Sequence, residues 1–277
     1  MTEHFYENHS KIRQDKLCPI KISFVKNHFD YFCNWHENIE ILLITGGEGA
    51  IIYGSEEFAL CEGDIVVVNS DALHRIYSKT GVDYLYIIID ESFCLENGIS
   101  TRERSFTRTF RSQETERLLF ELAEVYARYR HNPDPAATLT AEVRFALLAL
   151  LLDLCKSHSE TTVTMQKGEK SSDRYVKRVI SYMGEHYNEP LSLDSLAELC
   201  GISKHHLARE FKRYTSYTVL TYLNIIRTKN AEVFMAEGMS VTEAAFECGF
   251  ESLSYFSRTY KKIMGVSPSK NKSSGTF

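Results

Sequence analysis

Two stretches near the C-terminus repeat one pattern of residues, and this repeat constrains the fold more than any other feature of the chain. Ser192 to Ile202 and Ser240 to Phe250 each run from a serine, through a short segment, to a Cys-Gly pair. A segment that carries basic residues follows each of them. The pattern predicts a short helix, a glycine turn and a second helix, which is the order of a helix-turn-helix. We therefore place two such units at residues 192–214 and 240–263.

The start of the first helix in each unit has a recognisable signal. Ser192 and Ser240 occupy N-cap positions, where a hydroxyl satisfies a free backbone N–H. Glu243 follows Ser240 by three residues, which predicts a reciprocal capping box in the second unit. Ser195 holds the matching position, so the first unit is predicted to lack the reciprocal half.

The second helix of each unit is predicted to have one apolar face and one small, polar and basic face. Such a division suits a helix that packs on its own domain and enters the major groove with the opposite side. The apolar positions are Leu207, Phe211 and Tyr214 in the first unit and Phe256, Tyr260 and Ile263 in the second. The positions predicted to contact DNA are Lys204, His205, Ala208, Arg209, Lys212, Arg213, Ser254, Ser257, Arg258, Lys261 and Lys262.

The segment between the units, Val219 to Ala236, is predicted to be one helix. At 1.5 Å per residue it would be about 27 Å long. One turn of DNA is about 34 Å, so such a spacer could hold two reading helices near successive major-groove faces.

The distribution of charge agrees with this placement. Residues 173–277 hold 14 Lys and Arg against 11 Asp and Glu, while the rest of the chain holds 18 against 26. The net charge of −5 therefore hides a basic C-terminal part. The seven cysteines include no C-x-x-C pair, and the longest apolar run, Phe145 to Leu152, is too short to cross a membrane. We expect a cytoplasmic protein with no membrane association.

The N-terminal part is predicted to be an antiparallel sandwich or barrel of the jelly-roll kind, because short apolar segments alternate with turn residues. The predicted strands are Ile39–Thr45, Gly49–Tyr53, Glu57–Leu60, Ile65–Val68 and Tyr84–Ile89. Two helices follow, at Thr115–Arg130 and about Ala137–Lys156. They could form a hairpin on the barrel, a dimerisation surface, or both.

These patterns predict an α+β multidomain protein with four segments. They are a barrel at residues 1–110, a helical segment at 111–160, a linker at 161–172 and an all-helical domain at 173–277. The polar residues before Cys18 are predicted to be a disordered tail or an arm over the barrel.

Residues 173–273 resemble the DNA-binding domain of AraC/XylS-type transcription regulators, most clearly in the stretch from Gly238 to Pro268. This resemblance implies base contacts by His205, Ala208 and Arg209 in the first unit, and by Ser254, Ser257 and Arg258 in the second.

Three segments, at residues 34–40, 47–49 and 63–74, resemble the cupin pattern found at the N-terminus of many such regulators. In metal-binding cupins, positions equivalent to His36, Glu40 and His74 hold a divalent ion together with a further histidine, for which Asn34 stands here. We therefore expect no metal or other cofactor, and a pocket that binds a polar ligand such as a sugar. The residues expected to line it are Trp35, His36, Glu40, Tyr53, His74 and Tyr86.

The combined prediction is a transcription regulator, not an enzyme, that binds double-stranded promoter DNA as a homodimer under the control of a small-molecule effector. One alternative is a metal-dependent cupin enzyme that uses His36, Glu40 and His74. The other is a DNA-binding protein without a ligand, in which the barrel serves only assembly.

Overall fold

The structure is a computed structural model that describes residues 18–30, 33–54, 56–132, 137–160 and 171–271. The described residues fall into two compact units, 18–160 and 171–271. The predicted N-terminal tail and most of the predicted linker lie outside the described residues. At the borders of the linker, residues 159 and 160 pair as a strand, and the next helix begins at Ser171, two residues before the predicted start.

An antiparallel sheet forms the centre of the N-terminal unit. Its strands follow the order β1-β5-β2-β4-β7, and β3 also pairs with β2. The strands of this sheet are β1 (Ile20–Asp30), β2 (Ile39–Tyr53), β3 (Glu56–Cys61), β4 (Ile65–Val68), β5 (His74–Ile89) and β7 (Thr109–Phe110). A small separate pair joins β6 (Ser105–Phe106) to β8 (Ser159–Glu160).

Strand β2 is one long strand where the sequence predicted two, so that prediction was wrong. The Gly46-Gly47 pair was expected to be a turn, but it lies at an irregularity in the ladder between β2 and β5. Gly47 has φ +74°, and a Cβ there would come 2.3 Å from the carbonyl oxygen of Gly81. The strand therefore continues through an irregularity at Gly47, where only glycine fits this conformation and this close approach.

The two faces of the sheet bury different apolar side chains, as the two-residue period of a strand requires. Ile41 and Leu43 of β2 belong to a core that also includes the helices of this unit. Leu42 and Ile44 belong to a second core on the opposite face. Within the described residues, no ladder joins the edge strands β1 and β7, so closure of the sheet into a barrel is not established.

Three helices complete the N-terminal unit: α1 (Glu91–Glu96), α2 (Gln113–His131) and α3 (Ala137–Ser157). Leu119 and Leu122 of α2 and Leu147 and Leu150 of α3 are fully buried in the core that they share with the sheet. Each such leucine contributes about 1.5–3 kcal/mol through burial. The two long helices therefore form a hairpin packed on the sheet, close to their predicted bounds. Helix α1 was not predicted.

The C-terminal unit is entirely helical in its described part. Its helices are α4 (Ser171–His186), α5 (Leu193–Cys200), α6 (Lys204–Thr215), α7 (Val219–Ala236), α8 (Val241–Glu247), α9 (Leu253–Met264) and α10 (Pro268–Asn271). Helix α7 has the bounds that the sequence predicted, and it contacts α4, α6, α8 and α9. It is therefore the central element around which both helix-turn-helix units pack.

Candidate nucleic-acid interface and sensor site

Both helix-turn-helix units begin with a reciprocal capping box. In the second, Ser240 Oγ accepts the N–H of Glu243, and Glu243 Oε2 accepts the N–H of Ser240. The prediction that the first unit lacks the reciprocal half was wrong. There the Ser195 hydroxyl accepts the N–H of Ser192 at 3.1 Å, while Ser192 Oγ accepts the N–H of Ser195 at 3.0 Å. A serine hydroxyl can serve here because the helix start already brings the two backbones close.

The turn glycines of the two units both have positive φ angles but differ in their surroundings. Gly201 has φ +66° in open space, while Gly249 has φ +80° and lies against the backbone of Asn188. A Cβ at Gly249 would come 2.6 Å from the Asn188 carbonyl oxygen. Beside this turn, burial raises the pKa of the Cys248 thiol to about 12, which argues for a packing role and against a redox one.

The second helices, α6 and α9, bury the apolar faces that the sequence predicted. Leu207, Phe211 and Tyr214 are buried in the first unit, and Phe256 and Tyr260 in the second. Ile263 is half-buried. The side chains of Ser203 and Ser252 cap the two helices at their N-termini.

The eleven residues predicted to contact DNA lie on the opposite faces of these helices. Nine of them are exposed, and Ala208 and Ser257 are half-buried. The exposed nine are Lys204, His205, Arg209, Lys212, Arg213, Ser254, Arg258, Lys261 and Lys262. Each unit therefore presents a continuous polar and basic face to solvent.

Glu210 contacts two of the residues predicted to bind DNA, and the sequence pattern did not single it out. It is buried between two exposed arginines of α6: Arg209 Nε lies 3.2 Å from Glu210 Oε1, and Arg213 Nη2 lies 2.5 Å from Oε2. The Arg213 guanidinium also stacks on the ring of Tyr214, 4.6 Å from its centroid. The carboxylate thus orients two basic side chains of the outer face. The signal was the acidic residue one position after Arg209 and three before Arg213.

In the second unit, Tyr255 ties α9 to the central helix. Asn224 Nδ2 of α7 donates a hydrogen bond to Tyr255 Oη at 2.8 Å. The tyrosine keeps 40% of its surface exposed, so the same ring reaches solvent beside Ser254.

A buried arginine of α7 fixes the end of α4 to the second unit. Arg227 donates from Nε to the carbonyl of Tyr187 at 2.6 Å and from Nη2 to the carbonyl of Glu189 at 2.8 Å. Its guanidinium lies 5.9 Å from the ring centroid of Phe250. Burial lowers the pKa of Arg227, but the group remains charged because its ordinary value is so high.

In the N-terminal unit, His36, Glu40 and His74 meet in one buried cluster. Glu40 Oε2 lies 3.0 Å from His36 Nε2 and 3.4 Å from His74 Nε2. The imidazole centroids are 5.1 Å apart with the ring planes at 78°. Glu40 stands near the start of β2, and His74 opens β5. The sheet therefore unites residues that are distant in sequence.

The second nitrogen of each imidazole contacts a backbone carbonyl. His36 Nδ1 lies 2.8 Å from the carbonyl oxygen of Asn38, and His74 Nδ1 lies 3.0 Å from that of Ala72. Both rings are therefore held at both nitrogens, which fixes their orientation toward Glu40.

Electrostatic interactions in the cluster favour a charged Glu40. Burial by itself would raise the pKa of Glu40, but hydrogen bonds with His36 and His74 outweigh it and hold the pKa well below its usual range. Burial, and next the charge of Glu40, raise the pKa of Tyr53. Tyr53 donates its hydroxyl proton to the carbonyl of Val67 at 3.0 Å.

Two other residues that were predicted to line a pocket are partly exposed. Trp35 and Tyr86 are half-buried, and Tyr86 packs against the core that contains Leu42. Asn34 exchanges two backbone hydrogen bonds with His74, and its side-chain oxygen accepts the N–H of Trp35. The structure thus brings His36, Glu40 and His74 together, with Tyr53 near them.

Each of the two units matches a known protein family. The family described as AraC-like ligand binding domain matches residues 17–149, and a helix-turn-helix domain family matches residues 196–273. The chain belongs to the AraC family of transcription regulators. It combines an AraC-like ligand-binding domain with a C-terminal helix-turn-helix domain, and its homologues are transcription regulators, not enzymes.

Relatives of the AraC-family chain match it over most of its length. It is 24% identical to the HTH-type transcriptional regulator YdeC of Bacillus subtilis, over 85% of this chain and 84% of the relative. It is 27% identical to YbfI of the same organism, over 83% and 80%. The HTH-type transcriptional activator RhaS of an Enterobacter strain is 22% identical over 96% and 93%.

Among solved structures, ToxT from Vibrio cholerae O395 aligns with 93% of this chain and 97% of its own, at 16% identity and a TM-score of 0.48. In the part of the AraC-family chain that the structure describes, no helix has the length and apolar character needed to span a membrane.

Proposed function

We propose that this chain is a regulator whose binding to promoter DNA, through α6 and α9, is controlled by a small molecule bound in the N-terminal unit. The observation that carries the DNA part is the pair of matched, exposed basic faces on two capped helices. Each has a buried apolar side, so the polar side is free to enter a groove.

The outer residues divide into two proposed roles. His205, Arg209, Ser254 and Arg258 lie toward the N-terminal half of their helices, where hydrogen-bonding side chains can reach base edges. The proposed base-contacting set also includes Ala208 and Ser257, whose small side chains allow close approach. Lys212, Arg213, Lys261 and Lys262 lie further along and would contact phosphates, which supplies affinity without sequence information. Lys204, at the start of α6, would join them.

The DNA part can be tested with an operator that the parental protein selects from a random duplex pool. Arg209→Ala and Arg258→Ala should each weaken binding to that operator and reduce discrimination against other sequences, by about 1–3 kcal/mol. Lys212→Ala and Lys261→Ala should weaken binding to all duplexes alike and flatten its dependence on salt. Fluorescence anisotropy over a range of salt concentrations measures both effects.

Arg117→Ala, an exposed arginine of α2 in the N-terminal unit, is the matched control and should bind like the parent. Parental affinity and specificity in all four DNA-face variants would refute the proposed interface.

The sensor part rests on the ladder irregularities within β2 and on the polar cluster near its start. We propose that the sheet curves into a barrel-like pocket for a polar effector such as a sugar, with Trp35, His36, Glu40, Tyr53, His74 and Tyr86 around it. A ligand of this kind would act by binding one arrangement of the regulator better than another.

A thermal-shift screen of sugars and related metabolites tests the sensor part, since a ligand that binds only the folded chain raises its melting temperature. Any hit should also change operator affinity in the anisotropy assay. A metabolite set that shifts neither quantity would favour a DNA-binding protein without an effector.

We also propose a homodimer formed through the helical hairpin. Phe145 and Leu152 lie two turns apart on α3 and are 74% and 48% exposed, and Phe120 of α2 is 43% exposed. Large apolar side chains that share a helix face and remain in water favour association with a partner surface.

A further inference from the structure

The guanidinium of Arg209 is held along one edge by two neighbouring side chains of α6. Arg209 Nε lies 3.2 Å from Glu210 Oε1, and Arg209 Nη2 lies 2.9 Å from Nδ1 of His206. An arginine can only donate, so the imidazole nitrogen is the acceptor. Nε and Nη2 share one edge of the planar group. The terminal edge, formed by Nη1 and the second N–H of Nη2, makes no hydrogen bond within the described residues.

The imidazole of His206 is itself held in place by helix α4. His206 is half-buried, and its ring meets the ring of Tyr175 edge-on, with the centroids 6.3 Å apart. The carbonyl oxygen of Tyr175 in turn lies 3.8 Å from Sγ of Cys200, the last residue of α5. The position of the acceptor nitrogen therefore depends on packing among three helices, which makes it a fixed partner for the guanidinium.

The second unit has a different arrangement at the matched positions. Arg258 corresponds to Arg209 in the repeat. Tyr255 stands at the position of the histidine, and Thr259 stands at that of the glutamate. The Tyr255 hydroxyl accepts a hydrogen bond from Asn224 of the central helix. In the described part of the chain, the exposed guanidinium of Arg258 makes no hydrogen bond or ion pair, so the two arginines differ in how firmly they are held.

We propose that His206 is a positioning residue that directs the terminal edge of Arg209 at a guanine, so that the first unit discriminates between bases more strongly than the second. The two N–H groups of this edge match the O6 and N7 atoms that guanine presents in the major groove. A guanidinium that is already oriented also loses less side-chain entropy on binding. The inference rests on the proposed DNA interface and specifies which base Arg209 reads.

Two substitutions of His206 separate the acceptor from the ring. His206→Phe keeps an aromatic ring against Tyr175 but removes the acceptor. His206→Asn gives up the ring but offers an amide oxygen at about the place of Nδ1. Neither substitution changes the charge of the outer face, so binding of the full-length chain to a scrambled duplex should stay at the parental level for both.

The readout is the preference for the selected operator over a duplex in which one G·C pair is replaced by A·T, measured by fluorescence anisotropy. The pair read by Arg209 is the one whose replacement weakens the parent but not Arg209→Ala. At this pair we expect His206→Phe to lose several-fold in preference and His206→Asn to keep most of it. Arg209→Ala should also lose more operator preference than Arg258→Ala.

A double variant distinguishes positioning from a general structural role. In the Arg209→Ala background, His206→Phe should cause no further loss of preference, because its effect passes through the missing guanidinium. His131→Phe, at an exposed histidine of α2, is the matched control and should bind like the parent. Circular dichroism establishes that each variant folds.

Three results would overturn the role of His206. They are a parental preference in His206→Phe, an equal loss in His206→Asn, and a further loss in the double variant. A larger loss in Arg258→Ala than in Arg209→Ala would overturn the proposed difference between the units. If Arg209→Ala keeps the parental preference at every base pair, the proposed interface itself fails, and this inference fails with it.

Discussion

Single residues can fix the orientation of the basic side chains on an outer face, and Glu210 of α6 is the clearest case. Its carboxylate is buried on a helix whose outer face is otherwise basic, and it holds Arg209 and Arg213 in fixed positions. An arginine that is already oriented loses less side-chain entropy when it binds a base or a phosphate. On the proposed interface, Glu210 would therefore weaken the attraction of α6 for DNA and at the same time hold in place the two arginines that contact it.

Replacement of Glu210 by alanine should raise the affinity for DNA of any sequence and lower the preference for the operator. The loss of one negative charge should strengthen binding to a scrambled duplex several-fold, since fewer phosphate charges are then opposed. The preference for the operator should shrink, because the two arginines lose their common anchor. Anisotropy with operator and scrambled duplexes measures the ratio, and Glu237→Ala at the exposed end of α7 is the control. An unchanged ratio would mean that Glu210 has only a structural role.

The turn glycines allow a second prediction at this scale. Gly201→Ala introduces a Cβ into open space at φ +66° and should cost about 1–2 kcal/mol of stability. Gly249→Ala has the same kind of backbone strain and also drives a Cβ into the carbonyl of Asn188, so its cost should exceed that of Gly201→Ala. Urea denaturation of the full-length variants, followed by circular dichroism, gives the order. Equal costs would contradict the close approach at Asn188.

At the scale of elements, the sequence predicts correctly the elements whose bounds depend on local residue patterns. The helices α2, α3 and α7 are long, and their bounds agree with prediction to within about two residues. The continuity of β2 was not predicted, because a Gly-Gly pair normally marks a turn. Only the pairing with β5 shows that the strand continues on both sides of the glycines. The six-residue helix α1 is too short for a periodic signal.

For the candidate sites too, local patterns predicted some features, and others depend on contacts between residues distant in sequence. The outer faces of α6 and α9 follow from the helical period, so nine of the eleven predicted residues are exposed and the other two are half-buried. The approach of His74 to Glu40 depends on the register between β2 and β5, which no local pattern contains. It was predicted from a family resemblance alone, and the contacts of the imidazoles with Asn38 and Ala72 were not predicted at all.

Helix α7 is the element whose interior matters most to the DNA-binding unit, and Arg227 is its key contact. Arg227→Ala removes the donors to the carbonyls of Tyr187, which is buried, and Glu189, which is exposed. Loss of the donor to a buried acceptor costs about 1–3 kcal/mol. We expect a lower urea midpoint for the C-terminal unit and weaker operator binding. Arg227→Lys should retain part of the stability. A variant as stable as the parent would show that these hydrogen bonds contribute nothing net.

At the scale of the whole molecule, association of two chains should depend on the exposed apolar face of α3. Phe145→Glu places a charge at the centre of the proposed contact and should weaken self-association by at least about tenfold, equivalent to 1.4 kcal/mol. Sedimentation equilibrium measures the dimerisation constant. Phe24→Glu, a 55% exposed phenylalanine on β1, is the control. A parental chain that is monomeric at all concentrations would remove the dimer from the proposed mechanism.

The rigidity of α7 has a consequence for how regulators of this kind can diverge. One added residue in its middle would rotate everything beyond it by about 100° and shift it by 1.5 Å. Because α7 is buried along much of its length and contacts four other helices, such an insertion would also disrupt the packing on both sides. If α6 and α9 are the DNA-reading helices, as proposed, new promoters would be reached by exchanging side chains on their outer faces, while the distance between the two recognised DNA segments stayed constant.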